Sequence, residues 1–363
     1  MNEIAPALHL INVMAKYADM DHKTFYRGAA LDRHRFAALA NSDGSYSPNR
    51  PFSSSTHVVE FDLRTGAWQE IAHRKWFGVG VARWPGAGAA GAAGFMVLSQ
   101  QGDVLEHGEE TRDSRLTDGP LAWMVSIDCV SGGLYAIGST GCHFRYSTDG
   151  TWAPMSPEAY DPHYLQLDIV ERGMRILGLQ SLDEYDALTP DQEDWLSGKQ
   201  VRLETPFFGI DGPSPNDLYL AGQNGALMQF DGEHFHDIDP GERSSLVSVL
   251  CIGEDVLVSG SSRGSVVLRG NARKGFTPIF RAPQKEVAIY GMTLFDGMPH
   301  FGDLGEETGG VYRLEDGVMR RLPGVNAPVV HVEAIDGVLW TLEQKAVNLF
   351  DGASWSRFES PFA

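Results

Sequence analysis

Residues 216–238, NDLYLAGQNGALMQFDGEHFHDI, constrain the fold more than any other stretch. They read as three short strands and two turns. Residues 217–221 form an apolar strand, Gly222, Gln223, Asn224 and Gly225 a tight turn, and residues 226–230 a second strand. Asp231-Gly232 makes the second turn and residues 234–238 the third strand. An Asp-Gly pair supplies the positive-φ position that a tight hairpin needs. Variants of this unit return near Phe95, Leu134, Arg175, Leu218, Val256, His300 and Leu339. A step of about 40 residues built from strands and turns predicts β-propeller blades.

Each unit has a further strand in front, at 76–83, 121–128, 164–170, 207–209, 246–252, 287–294 and 329–335. Some are nearly continuous apolar runs, as expected of an inner strand buried between neighbouring blades. The outermost strand carries an anchor in several units: Trp152, Phe235, Phe276, Met319 and Trp355. Near the N-terminus, residues 57–71 give two strands around an Arg64-Thr65-Gly66 turn, with 35–40 and 25–31 as the strands before them. Irregular insertions at 41–56 and 85–94 account for the wide spacing there, and residues 5–14 read as an apolar strand closing the ring. The fourth unit is broken by residues 180–198, where Thr189-Pro190 ahead of acidic residues predicts a short helix over 190–196. The reading is an all-β chain, one propeller domain over residues 1–363, with four-stranded antiparallel blades. Eight blades are favoured when the N-terminal unit is counted; the regular units alone give seven.

The sequence has 29 basic and 48 acidic residues, a formal net charge of −19. Such a surface repels phosphate backbones and anionic headgroups, so neither nucleic acid nor membrane is an expected partner. It suits a basic protein. Three cysteines, Cys129, Cys142 and Cys251, are too few for a disulfide framework and read as small buried groups in strands. The first residues lack a basic start and a signal-length apolar run, and no stretch approaches the ~20 apolar residues of a membrane span. A cytoplasmic location is expected.

The units 216–238, 132–155 (GGLYAIGSTGCHFRYSTDGTWAPM) and 338–358 (VLWTLEQKAVNLFDGASWSRF) resemble the repeats of bacterial β-propellers of the photosystem II assembly-factor-like and kelch-like kind. The resemblance covers about residues 90–358 and implies the propeller fold. It implies no function, since propellers host enzymes, scaffolds and inhibitors alike. The Trp-Asp ending of WD repeats is absent. Residues 147–152, STDGTW, are close to the Asp-box of sialidases but one residue short between Asp and Gly, so the resemblance does not extend to sialidase activity.

No catalytic signature stands out. There is no glycine-rich phosphate loop and no Gly-x-Ser-x-Gly elbow. His234 and His236 share one strand face but lack a third zinc ligand, and the Asp-Gly turns lack the alternating oxygens of a calcium loop. No catalytic residue, metal ligand or cofactor is therefore assigned. The candidate partner-binding residues lie in the 180–198 insertion: Asp183, Glu184, Tyr185, Asp186, Asp191, Glu193, Asp194 and Trp195. Aromatics set among charges are what interface anchors look like, and loops carry function more often than scaffolds do. Glu306 and Glu307 extend this acidic surface if they fall on the same side of the ring. The functional reading is a non-catalytic protein-binding propeller, one version being a bacterial immunity or inhibitor protein that clasps a basic partner. The alternatives are a hydrolase or lyase with its site in the central funnel, and an assembly scaffold.

Overall fold

Two-residue turns and doubly buried middle strands shape the chain locally. The computed structural model describes residues 24–41, 55–85, 93–157, 159–261, 264–282, 288–315 and 317–362. Its strands form seven four-stranded antiparallel sheets. Blade 1 is β1–β4 (Thr24–Ala30, Arg35–Asn41, Thr56–Asp62, Ala67–Arg74) and blade 2 is β5–β8 (Gly78–Trp84, Gly94–Ser99, Asp103–His107, Thr111–Arg115). Blade 3 is β9–β12 (Met124–Val130, Gly133–Gly138, His143–Tyr146, Trp152–Pro154) and blade 4 is β13–β16 (Phe207–Ser214, Asp217–Gly222, Leu227–Phe230, Phe235–Ile238). Blade 5 is β17–β20 (Ser245–Ile252, Asp255–Ser261, Ser265–Asn271, Gly275–Arg281) and blade 6 is β21–β24 (Ile289–Phe295, Met298–Asp303, Gly310–Glu315, Val318–Arg321). Blade 7 is β25–β28 (His331–Ile335, Val338–Leu342, Ala346–Phe350, Trp355–Glu359). The first strand of each blade touches the first strands of both neighbours, so β1, β5, β9, β13, β17, β21 and β25 surround the axis.

The ring has seven blades rather than the favoured eight. The N-terminal unit is a genuine blade; the fourth unit is not. Its two expected strands lie in helices, because the local sequence caps them. Asp161 receives the His163 and Tyr164 N–H groups ahead of α1 (Pro162–Gln166). Asp168 and Glu171 make a reciprocal capping box for α2 (Ile169–Leu177), which ends at Gly178 in the left-handed region. Two more helices follow, α3 (Leu182–Asp186) and α4 (Pro190–Glu204). The short helix expected at 190–196 is therefore the start of a longer one, within an insertion that fills residues 155–206. The proposed strand at 5–14 and most of the 41–56 and 85–94 insertions lie outside the described residues.

Packing follows from the sheet order. The second strand of a blade faces a neighbour on each side, and the pattern of β26, VLWTL, is buried at every position. Seven apolar clusters result, each shared by adjacent blades. Polar side chains also stitch inner strands together. Cys251 N–H donates to Asp211 Oδ2 (2.7 Å), Ala334 N–H to Thr293 Oγ1 (3.0 Å), and Ala30 N–H to Glu333 Oε2 (2.7 Å). Each bond satisfies an inner-strand donor that the sheet itself leaves unpaired.

The last of these bonds lies on the seam between blades 7 and 1. There Trp340 is fully buried, its ring centroid 5.6 Å from that of Phe36 and 6.3 Å from that of Phe61. Its indole N–H donates to the Asp32 carbonyl (3.2 Å). Trp340→Ala is expected to lower the unfolding free energy by about 3–5 kcal/mol through cavity formation. Trp355→Ala, on the half-buried outer strand of the same blade, is expected to cost only about 1–2 kcal/mol. Urea titration of the two variants against the parent checks the difference.

Candidate functional site

Strand alternation fixes where every connection emerges. First-to-second and third-to-fourth strand turns lie at one end of the ring, the lower face. Second-to-third turns and blade-to-blade connections lie at the other, the upper face. The lower face has tight hairpins such as Asp296-Gly297 and Asp336-Gly337, where both residues have positive φ. That is the geometry of a two-residue turn matched to strand twist. Among the described connections, the long ones lie on the upper face: residues 116–123, the 155–206 insertion, 239–244, 304–309 and 322–330. Two surface grooves open on it. One, of about 540 Å³, is lined by the Arg74–Asp113 and Arg115–Asp103 ion pairs, and the other, of about 550 Å³, by the Arg281–Glu242 pair. The exposed Glu306 and Glu307 stand on this face too.

The insertion is rooted in the blade 2–3 core. Tyr160 packs on Phe144 with centroids 5.1 Å apart and donates to the Pro120 carbonyl (2.9 Å), and Leu165 joins the same cluster. Arg172 pairs with Glu204 (2.7 Å) and Arg175 with Asp161, tying α2 to the two ends of the insertion. Asp183, Glu184 and Asp186 lie on α3, and Asp191, Glu193 and Asp194 on α4; all six are exposed. Asp191 and Glu193 occupy the first turn of α4, where the helix dipole favours acids. Helix stability thus explains part of the acid count, and it leaves the carboxylates in water. Glu184 is partly committed, since its Oε2 accepts from Gln180 N–H (2.8 Å). Tyr185 packs inward: a Cβ on Gly173 of α2 would come within 2.7 Å of its ring. The side chain of Trp195 is outside the described residues.

The apolar run predicts one strand over 121–128. The structure starts β9 at Met124, so Trp123 stands before it on the upper face, 54% exposed. Pro120 shortly ahead of it was the available signal for a later strand start.

The axis gathers charged groups from several blades. Arg27 of β1 donates from Nε to the Val79 carbonyl (3.0 Å), and its guanidinium carbon lies 5.0 Å from the Tyr290 ring centroid. His331 Nε2 lies 3.2 Å from Glu333 Oε2. Asp128 of β9 accepts from Ser126 Oγ (2.8 Å). Burial pushes the Asp128 carboxyl up to about 6, opposed by the Ser126 hydrogen bond and by His331 and Arg27, and reinforced by Glu333. Asp128 keeps part of its surface accessible. Both facts fit a carboxyl crowded by neighbouring inner strands yet left partly exposed.

The remaining candidates are structural. His234 and His236 are exposed, and His236 Nε2 lies 2.7 Å from Asp231 Oδ2. The His234 and Glu233 N–H groups and His236 hold the Asp231 carboxyl well below its usual range, which closes the hairpin. Asp149 does the same for residues 147–151, through Ser147 and Thr151. Burial pushes the Cys142 thiol up to about 11 and raises Cys129 and Cys251 as well, so these are poor nucleophiles. Among the described residues, no group of three or more His, Cys, Asp and Glu is arranged to hold a metal ion. No described helix is long and apolar enough to cross a membrane.

Asp128 makes a pH test. Its carboxyl ionises near 4 in the unfolded chain and about 6 in the folded one. Below pH 4 both states are protonated and nothing is lost; as pH rises from 4 to 6 the unfolded chain releases its proton first, so stability falls. Asp128→Asn is expected to remove that fall and to be more stable than the parent at pH 7 by about 1–2 kcal/mol, allowing for screening at a partly exposed group. Chemical denaturation of both proteins at pH 4 and pH 7 measures it.

The chain is 22% identical over 272 residues, 74% of its length and 74% of the relative's, to the immune protein Tsi7 of Pseudomonas aeruginosa. Solved propellers share its fold. YCF48 bound to a D1 peptide aligns with a TM-score of 0.56 at 9% identity, covering 95% of this chain and 94% of that one. A streptogramin B lyase aligns with a TM-score of 0.51 at 11% identity, covering 78% and 82%. No family model matches the chain.

Proposed function

We propose that this chain is a protein-binding propeller of the immunity type, which neutralises a basic partner protein through carboxylates on its upper face. One observation carries the reading. The 155–206 insertion, which breaks the repeat, projects from the upper face with six exposed acids on α3 and α4. The net charge of −19 favours encounter with a basic surface and speeds association. The likeness to Tsi7, named an immune protein, supports the same class. A second reading, a hydrolase or lyase acting in the funnel, draws on the polar axis formed by Arg27, Asp128, His331 and Glu333.

The test is affinity capture from the native cytoplasm, identification of the retained protein, and titration of the purified pair. The triple reversal D191K/E193K/D194K is expected to weaken the complex about tenfold or more at low salt, with less difference at high salt. The melting temperature should stay within about 2 °C, because surface substitutions away from the core have small effects. Unchanged affinity in the triple variant contradicts the acidic-face reading.

A further inference from the structure

We propose that Trp123 is the fixed aromatic anchor of the upper face, on which arginine and lysine side chains of the partner stack; this rests on the reading of that face as the binding surface. Tryptophan is among the side chains that contribute most when buried at an interface. Among the described residues, four large apolar side chains are exposed, and Trp123 is the aromatic one. Trp340 is fully buried, and Trp68, Trp76, Trp84, Trp152 and Trp355 are at least half-buried in or between blades.

The backbone under Trp123 is clamped. Its carbonyl accepts from Ser139 N–H (2.9 Å), Met124 N–H donates to the Gln100 carbonyl (3.1 Å), and Ala122 N–H donates to Cys142 Sγ (3.3 Å). Strand β10 comes so close that a Cβ on Gly138 would lie 2.5 Å from the Trp123 carbonyl oxygen. Main-chain position is therefore set from blades 2 and 3 while the indole remains in water. An anchor held this way has no backbone freedom left to lose on binding. Because Trp123 directly precedes an inner strand, it stands beside the axis, on the same face as the insertion's carboxylates and near the exposed Asp118. The face of an indole attracts cations, arginine above all. Carboxylates that draw a basic segment in and an indole that receives its side chains are complementary parts of one surface.

The experiment uses the full chain and a synthetic deca-arginine peptide, with affinity read by calorimetry at low ionic strength. Trp123→Ala is expected to weaken binding about threefold to tenfold, the range for a partly desolvated cation–π contact. Trp123→Leu, which keeps apolar area but has no π face, is expected to weaken it equally, and Trp123→Phe less. Full affinity in Trp123→Leu alongside a loss in Trp123→Ala means an apolar contact and overturns cation stacking. If Trp123→Ala binds as the parent does while D191K/E193K/D194K binds weakly, the anchor falls and the acidic face stands. If neither variant is weakened, or the parent itself does not bind, both fall.

Discussion

The structure depends on closure of the ring. No blade can bury its own middle strand; each needs a sheet on either side, and the first and last blades have that only when they meet. The seam is made by Trp340 between Phe36 and Phe61 and by the bond from Ala30 N–H to Glu333. Across the seam the contacting residues are some 300 positions apart in sequence. Much of the chain must be in place before this contact forms, and the loop entropy it costs grows only slowly with length.

Closure also sorts the connections between the two faces. Antiparallel strands force every second-to-third turn and every blade-to-blade connection onto one face. Among the described residues, lower-face hairpins serve backbone geometry, as where Asp231 and Asp149 cap their own turns; the 85–94 connection at the same end lies mostly outside the described residues. Long connections on the upper face are free of that duty and vary in length and charge. The helical insertion shows how a scaffold tolerates such variation: Tyr160 and Leu165 root it in an existing core, and its acids face water.

The repeat was legible because strand burial and turn chemistry agree. The doubly apolar middle strands and the Asp-Gly turns located blades 1 to 3 and 5 to 7 closely, and blade 4 almost as well. The count of eight failed at one place. Residues 175–179, RILGL, are apolar enough for a middle strand and fall near the expected step, but capping by Asp168 and Glu171 commits the first three to a helix that stops at Gly178. Those capping residues were visible in the sequence and were outweighed by the period. The axial cluster was not legible at all. Arg27, Asp128, His331 and Glu333 are brought together only by the pleat and by ring closure, and no spacing along the chain marks them. Trp123 was hidden for a smaller reason, a strand start misplaced by three residues.

The most direct test of the account is hydrogen–deuterium exchange on the complex with the captured partner. An upper-face interface gives new protection in residues 116–123, 155–206 and 304–309, with no change in the lower-face turns at 63–66, 231–234 and 296–297. Protection confined to the lower-face turns would contradict it.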